Sequence, residues 1–547
     1  MSAKAVDEST RFGGSWQDFF RGEKEWAYWE DQLVTTHPIE GVVANTNVAH
    51  TVFDGITYGK GASVLKQLHY YLGEDEFKDG LNRYFQKYAF RNTQLTDFIK
   101  MLSEASGRDL SKWQQSWLQT SGVNGLRAEW KCDEDKLSEF KLVQTPAEGS
   151  NEVRPHRTKI GFFYPSKNGQ YVASETIELQ YAKAENPILK EIRGKACPAF
   201  VYPNYDDYDY VKVELDPKSL ETVSKGLRHV ENPFTRQMLW HTLWEMVVDG
   251  KLKTQDYASI VISQIADEND TQILSKVLRT YNADQSSVLQ YLAGDARAKA
   301  LEQFETFAEK HLDRSAPNSD QQIIWFKAWM DTVHTDRSKE RLAGLLSGKA
   351  KIKGLKLEQD RRWEVIGALS RSGFEKAADL IEAELKQDPT ENGIKASVSA
   401  EASIPKIEAK KKWIGEILKR LNFKSDPADK AQEQPLSLGK LREAMGSLNQ
   451  LGQEALTQQW MGTYFENLSK LAATGDEEFA SRFAGSMFPS ICEQYVIDRT
   501  AEVLKSQPDL SARITRKLRV AKQEQERCVR ARALSIGAPV VAPSGTP

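Results

Sequence analysis

The sequence predicts a mainly α-helical protein with one small β-sandwich. Apolar residues recur at helical spacing up to about Gly122, then alternate with polar residues as far as Leu215, and helical spacing returns from Pro217 to Arg532. A chain of 547 residues has room for about three or four domains. The pattern divides it into residues 1–125, 126–216 and 217–535, followed by a tail at 536–547.

The first segment predicts short amphipathic helices that bury aromatic side chains against a larger body. From Ile56 onward, apolar residues share one helical face as far as Leu72, and Gly73 offers a helix end. Further helices are predicted from about Asp75 and Thr96. A fourth helix, after Gly107-Arg108-Asp109, carries Trp113 and Trp117.

The second segment predicts strands, because its residues alternate between apolar and polar over short stretches separated by glycine-containing turns. The predicted strands include Glu139–Val143, Lys159–Phe162, Thr176–Tyr181, Ala199–Pro203 and Tyr210–Leu215. Several short strands in so compact a stretch predict a small β-sandwich.

The third segment predicts helices again. Tryptophans mark one face of several helices, as Trp325 and Trp329 do with Val333, and they are interpreted as core anchors. Polar turns separate the helices without a strict repeat period, which favours helix pairs stacked as an irregular solenoid. The tail at 536–547 is rich in Pro, Gly, Ser and Val and is predicted to be disordered.

Composition indicates an ordinary globular protein, with 40% apolar and 28% charged residues and a net charge of -3. This balance gives no reason to expect nucleic acid or an anionic membrane as a partner. No run of about 18 apolar residues is present, and the first residues lack the apolar core of a signal peptide. Cys132, Cys197, Cys492 and Cys528 lie far apart, which favours four reduced thiols in a cytoplasmic protein.

Several short motifs follow one another in a particular order. They are Thr36-His37-Pro38-Ile39, Phe53-Asp54-Gly55-Ile56-Thr57-Tyr58, Gly107-Arg108-Asp109-Leu110, Trp117-Leu118-Gln119-Thr120-Ser121-Gly122, Arg154-Pro155-His156-Arg157 and Pro203-Asn204-Tyr205-Asp206-Asp207. By these motifs, residues from about Thr10 to Val213 resemble the zinc aminopeptidase N family, in the bacterial branch with a helical carboxyl-terminal cap. Residues 217–532 resemble that cap. The resemblance implies a partial thermolysin-like helical lobe, a β-sandwich and an α-helical solenoid-like cap.

The resemblance also implies a reaction, the zinc-dependent removal of amino-terminal residues from peptides. Tyr58 matches the family tyrosine whose hydroxyl stabilises the oxyanion, a contribution of roughly 3 to 4 kcal/mol to the barrier. The sequence contains no His-Glu-x-x-His and no Gly-x-Met-Glu-Asn motif, so no zinc is expected to bind this chain as given. Many family members have glutamate where this chain has Gly59, which lowers the helix preference there by about 1 kcal/mol relative to alanine.

Other residues could in principle hold a metal. His37, His50 and His69 match no zinc spacing and are interpreted as polar histidines in loops and on a helix. His241 and Glu245 are interpreted as a helix surface contact. The acidic run Tyr205–Tyr210 is interpreted as a solvated turn in preference to a calcium site, and Lys410-Lys411-Lys412 as a solvated helix face.

Three hypotheses for function therefore stay open. In the first, the chain is the carboxyl-terminal part of a zinc aminopeptidase and is inactive alone, so that its class as an enzyme is inherited from the family. In the second, it is a non-catalytic scaffold whose helical cap binds peptides. In the third, a separate chain supplies the zinc-binding helix and docks against the aromatic face of residues 10–120.

Overall fold

The computed structural model describes residues 2–41, 52–282, 286–423 and 434–535. These residues form two compact units, one that runs to Met246 and one that begins at Val247. The structure is mainly helical with two small sheets, which confirms the predicted fold class. The domain boundaries at 125 and 216 stay predictions, and the predicted disordered tail at 536–547 lies outside the described residues.

In the first unit, a group of helices precedes the strands. These helices are α1 Ser2–Ser9, α2 Ser15–Phe19, α3 Glu25–Asp31, α4 Gly61–Leu72, α5 Glu74–Tyr88, α6 Leu95–Ser106 and α7 Ser111–Leu118. Two π-helical turns, Phe20–Lys24 and Ile56–Lys60, continue directly into α3 and α4. After the strands come α8, Pro217–Gly226, and α9, Pro233–Val248.

The strands form two sheets. They are β1 Gly125–Asp133, β2 Lys136–Thr145, β3 His156–Pro165, β4 Tyr171–Tyr181, β5 Glu185–Pro187, β6 Phe200–Tyr202 and β7 Lys212–Glu214. One sheet has the order β5-β2-β1-β7, with β1 and β7 parallel, and the other has the order β4-β3-β6. Phe140 of β2 and Phe162 of β3 are both buried, and their ring centroids lie 5.4 Å apart, so apolar residues of the two sheets share a core.

The second unit consists of helices, many of which pack on a helix one or two places away in sequence, and the stacking of helix pairs as a solenoid stays a prediction. They are α10 Thr254–Gln264, α11 Thr271–Asn282, α12 Val288–Tyr291, α13 Gly294–Arg314, α14 Asp320–Thr332, α15 Asp336–Ser347, α16 Gln359–Arg371, α17 Ala377–Gln387, α18 Glu391–Ser403, α19 Ile407–Asn422, α20 Leu438–Ser447, α21 Glu454–Asn467, α22 Glu477–Ser486, α23 Gln494–Ser506 and α24 Ala512–Ser535. Trp325, Trp329, Trp363 and Trp413 are all buried, which confirms their predicted role as core anchors.

The cysteines are paired, so the prediction of four reduced thiols is wrong. Cys132 and Cys197 form a disulfide with Cα atoms 5.8 Å apart, and Cys492 and Cys528 form another with Cα atoms 5.6 Å apart. Their separations of 65 and 36 residues hid both pairs, because each pairing depends on tertiary contacts that no local motif reports.

We expect the loss of either disulfide to lower the free energy of unfolding of its unit by about 4 kcal/mol, because each closes a long loop in the unfolded chain. Thermal unfolding of Cys132→Ser/Cys197→Ser and of Cys492→Ser/Cys528→Ser measures this cost. Dithiothreitol should reduce the half-buried Cys132–Cys197 bond of the native protein first, since Cys492 and Cys528 are buried. Alkylation and mass spectrometry would contradict the expected order if both bonds opened at the same rate.

One residue of the predicted solvated face, Lys410 on α19, is fully buried, although Lys411 and Lys412 are exposed. Its ammonium donates a 2.7 Å hydrogen bond to the carbonyl of Ala402 in the last turn of α18, where a helix favours a cation. Burial lowers the pKa of Lys410 from 10.5 to about 7. The prediction of a solvated side chain is therefore wrong for Lys410.

This burial predicts a particular pH dependence of stability. Between about pH 7 and the ordinary lysine pKa of 10.5, the unfolded chain holds a proton on Lys410 that the folded chain does not, so stability should rise with pH across this window. Below pH 7 both states are protonated, and the cost of burial is present in full. Urea unfolding at several pH values should show a smaller rise in Lys410→Met than in the unmodified protein, whereas Lys411→Met leaves the rise unchanged; Lys60 and Lys66, whose pKa values burial lowers to about 8, contribute the rest from the first unit.

Candidate functional site

Tyr58 lies on the π-helical turn Ile56–Lys60, directly before α4. Its side chain is 43% exposed, whereas Ile56, Gly59 and Lys60 of the same turn are buried. The sequence predicted a helix beginning at Ile56 but not its π form, which in proteins is frequent at functional sites. The turn thus exposes Thr57 and the Tyr58 phenol, while its other three residues are buried.

Asp54 anchors the beginning of this turn. Its Oδ1 accepts hydrogen bonds from the amides of Ile56 (3.0 Å) and Thr57 (3.3 Å), and its Oδ2 lies 3.0 Å from His37 Nε2. Burial alone would raise the pKa of Asp54, but the bond to His37 and the two amides outweigh burial and lower that pKa below its ordinary value. His37, predicted to be a polar loop histidine, therefore holds the carboxylate that caps the Tyr58 turn.

Gly59 explains how closely the turn packs on its neighbour. A Cβ atom at Gly59 would lie 2.2 Å from the carbonyl oxygen of Glu23 and 2.9 Å from the Cβ of Ala27. Glu23 belongs to the other π-helical turn, Phe20–Lys24, so the two turns meet backbone to backbone at this glycine. Glycine at position 59, where many family members have glutamate, therefore lowers the helix preference but is also required by the close packing against Glu23.

We expect Gly59→Ala to lower the free energy of unfolding by about 1–3 kcal/mol or more, because the added methyl group overlaps a backbone carbonyl that cannot rotate away. Gly61→Ala is a matched control two residues further on, since a Cβ there would have no neighbour closer than 3.9 Å. Thermal unfolding of the two variants compares these costs. Equal stability of the two variants would contradict the close packing at Gly59.

Lys60 and Asp31 anchor the end of the turn. Both side chains are fully buried, and Lys60 Nζ lies 2.9 Å from Asp31 Oδ2. Lys60 also donates to the carbonyls of Thr120 (3.3 Å) and Gly122 (3.2 Å), and the Gly122 amide donates to Asp31 Oδ1 (2.8 Å). Burial lowers the pKa of Lys60 to about 8, although Asp31 opposes the shift. The pair joins the Tyr58 turn to the segment that links α7 to β1.

Arg154, which begins the Arg-Pro-His-Arg motif, holds the same linking segment from the sandwich side. Its buried guanidinium lies 5.3 Å from the Trp117 ring. The guanidinium donates to the carbonyls of Ser116 (2.9 Å), Gly122 (2.7 Å) and Ser121 (2.8 Å), to Asn124 Oδ1 (3.1 Å) and to Thr120 Oγ1 (3.0 Å). The sequence singled out this motif but not the role of its first arginine.

The acidic run Tyr205–Tyr210 is also part of this region, and its prediction as a solvated turn is wrong. Asp207 and Asp209 are fully buried. Lys24 Nζ lies 2.5 Å from Asp207 Oδ1, and His156 Nδ1 lies 2.7 Å from Asp209 Oδ1. Tyr210 is buried as well, so the tyrosines interleaved with the acids were the available signal for a buried segment.

The remaining histidine candidates lie apart from Tyr58 in the chain and have other contacts. His69 Nε2 lies 2.8 Å from Glu74 Oε2, and the ring of His241 stacks on that of Tyr28 with centroids 5.4 Å apart. His50 lies outside the described residues. Within residues 2–41, 52–282, 286–423 and 434–535, no group of three or more His, Cys, Asp or Glu side chains is arranged to hold a metal ion. The described residues therefore do not fit a zinc ion by themselves.

In the part of the chain that the structure describes, no helix is long and apolar enough to cross a bilayer.

Two known protein families match separate parts of the chain. The Peptidase family M1 domain matches residues 1–117, and the ERAP1-like C-terminal domain matches residues 200–527. Together they define the class as proteins that carry a Peptidase family M1 domain followed by an ERAP1-like C-terminal domain. The chain belongs to the aminopeptidase N family, as the family resemblance of its motifs predicted.

Individual relatives are similar over different lengths. Aminopeptidase N of Streptomyces lividans is 32% identical over 545 residues, which are 98% of this chain and 61% of that protein. Probable aminopeptidase 2 of Sulfurisphaera tokodaii is 36% identical over 272 residues, 49% of this chain and 32% of that protein. Tricorn protease-interacting factor F2 of Thermoplasma acidophilum is 26% identical over 257 residues, 47% of this chain and 30% of that protein. The chain therefore spans less than two thirds of these relatives.

Proposed function

We propose that this chain supplies the oxyanion-stabilising tyrosine and the carboxyl-terminal portion of a zinc-dependent aminopeptidase, an enzyme that removes amino-terminal residues from peptides. The observation that carries the proposal is Tyr58, a surface phenol on a turn that Asp54 fixes at one end and Lys60 at the other. Membership of the aminopeptidase N family supports the reaction class.

Tyr58 would act on the carbonyl of the scissile peptide bond. As water attacks, the carbonyl oxygen gains negative charge, and the phenol donates a hydrogen bond to it. A donor held in place in advance loses little energy in reorganisation, which is why such donors contribute about 3–4 kcal/mol to catalysis. In this family the zinc ion activates the attacking water.

We further propose that the chain is inactive without additional residues. The sequence offers neither a His-Glu-x-x-His motif nor the glutamate base within it, and the described residues do not fit a zinc ion. A phenol that stabilises an oxyanion has no reaction to catalyse until a nucleophile is supplied. A polypeptide that carries the zinc ligands must therefore meet the surface around Tyr58.

The surface around Tyr58 has the character of such a contact. The Phe53 ring is 70% exposed and packs edge-on against Tyr58 with centroids 4.8 Å apart. Trp26 is 39% exposed, and its ring lies against Gly55, where a Cβ would be 3.0 Å away. Large aromatic residues exposed together mark an interaction surface. We assign this surface, formed by Trp26, Phe53 and Tyr58, to the zinc-bearing polypeptide, because the Tyr58 phenol would have to reach the scissile carbonyl of a peptide bound there.

The purified chain, assayed with added zinc on aminoacyl reporter amides, tests this proposal. We expect no turnover above that of Tyr58→Phe. Robust turnover that Tyr58→Phe abolishes would contradict the proposed lack of a nucleophile. Micromolar binding of peptides that chelators do not affect would instead support the non-catalytic peptide-binding alternative.

We also infer that the protein works in an oxidising compartment. Both pairs of cysteines lie at disulfide distance, and such bonds persist where thiols are not kept reduced. This inference differs from the expectation of a cytoplasmic protein, which was drawn from the spacing of the cysteines and from first residues without the apolar core of a signal peptide. Alkylation of the protein in its natural host before lysis tests the inference, and four alkylated cysteines would contradict it.

A further inference from the structure

We propose that Lys60 is a positioning residue that fixes the Tyr58 phenol by tying its turn to Asp31 and to the segment that links α7 to β1. This role rests on the proposed function, because it assumes that the position of the phenol matters. Lys60 itself is fully buried and cannot touch a substrate. It acts through the turn that it shares with Tyr58.

The contacts of Lys60 use the whole hydrogen-bonding capacity of an ammonium group. Its three protons have three acceptors: Asp31 Oδ2 at 2.9 Å, the Thr120 carbonyl at 3.3 Å and the Gly122 carbonyl at 3.2 Å. Three bonds to groups on two different segments fix the Nζ atom in space. The backbone of Lys60 can therefore rotate little about the helix axis.

The Asp31 carboxylate is itself held in place by other groups. Its Oδ1 accepts hydrogen bonds from the Gly122 amide (2.8 Å) and from Thr36 Oγ1 (2.7 Å). Its Oδ2 lies 3.4 Å from the hydroxyl of Tyr210. The Asp31 carboxylate thus belongs to a hydrogen-bond network that joins the end of α3 to the segment that links α7 to β1.

The position of Tyr58 follows from this anchor because only Gly59 separates the two residues. Gly59 lies directly against the Glu23 carbonyl, so the turn cannot move toward that side. Lys60 resists movement in other directions. Without its ammonium, the turn would keep the contact at Gly59 but lose its attachment to Asp31, and the phenol would no longer have one position.

Lys66 on α4, the helix that follows the turn directly, provides a matched comparison. Its side chain is only 9% exposed, and burial lowers the pKa of both lysines to about 8. Its ammonium donates to the carbonyls of Asp206 (3.2 Å) and Asp207 (2.8 Å), well beyond the turn. Loss of Lys66 should therefore destabilise the first unit without a direct effect on Tyr58.

The test is 19F NMR of the full chain labelled with 3-fluorotyrosine, in which the Tyr58 resonance is the one that Tyr58→Phe removes. Asp31→Asn/Lys60→Met takes away both charges of this pair together, so that neither member of the pair stays buried without the other. In this variant we expect the Tyr58 resonance to broaden or to move toward its position in the urea-unfolded chain. In Lys66→Met the resonance should keep its position and width.

An unchanged Tyr58 resonance in the folded double variant would overturn the proposal, and so would an equal change in Lys66→Met. If circular dichroism shows that the double variant is unfolded, Lys60→Met alone decides by the same criterion, because the Gly122 amide and the hydroxyls of Thr36 and Tyr210 still donate to the Asp31 carboxylate. The measurement involves neither zinc nor turnover. Its failure would therefore reject the role of Lys60, whereas failure of the activity assays would reject the proposed function.

Discussion

Replacing Tyr58 by phenylalanine is expected to lower kcat about 10²- to 10³-fold once the chain is combined with a family segment that carries His-Glu-x-x-His, because the variant loses one oxyanion donor. Affinity for the substrate should change much less, since the hydrogen bond strengthens only as charge develops in the transition state. Initial rates on aminoacyl reporter amides, measured over a range of substrate concentrations, separate the two parameters.

Tyr71→Phe is the matched control for this prediction. Tyr71 lies on α4, the helix that Tyr58 precedes, but at its other end, where its ring contacts Arg108. This variant should keep the full rate. If Tyr58→Phe also stayed within about twofold of the unmodified complex, Tyr58 could not be a donor to the oxyanion.

Arg154→Met is expected to cost about 3–5 kcal/mol of the stability of the first unit, because it removes a buried cation and leaves several buried oxygens without a donor. The guanidinium makes five hydrogen bonds to the segment between Ser116 and Asn124. Urea unfolding followed by tryptophan fluorescence measures the loss, since Trp117 lies beside the guanidinium.

Arg157→Met, three residues further on, is the control for Arg154. Arg157 is partly exposed, stacks over the Tyr70 ring at 4.5 Å and pairs with Glu178. An exposed ion pair of this kind contributes about 0–1 kcal/mol. Similar losses in the two variants would contradict the special role of Arg154 in holding the link between α7 and β1.

The helices, the sheets and the family could be predicted because each leaves a local record in the sequence. Apolar residues at helical spacing located α4, and alternation located the core of β3. Tyr58 was identified because it stands in a motif with a known order of neighbours. A short motif of this kind can be identified from the sequence without any knowledge of tertiary contacts.

The partners of the buried charges could not be predicted in this way. Lys24 and Asp207 are 183 residues apart in sequence, and Lys60 and Thr120 are 60 apart. A charged residue is ordinarily exposed, and only the tertiary structure shows which acceptor compensates its burial. For the same reason Lys410 was assigned to a solvated face, and the two disulfides were missed. The packing role of Gly59 could not be predicted either, because its close neighbour, Glu23, lies on a different turn of the chain.

The proposed role of Tyr58 in an assembled peptidase is tested by titrating this chain into a fixed amount of a zinc-loaded family segment that carries His-Glu-x-x-His. We expect aminopeptidase turnover to appear, to saturate at one chain per segment and to disappear with a chelator. A complex that forms and retains zinc, yet cleaves no aminoacyl amide at any ratio, would contradict the claim that this chain completes a peptidase through Tyr58.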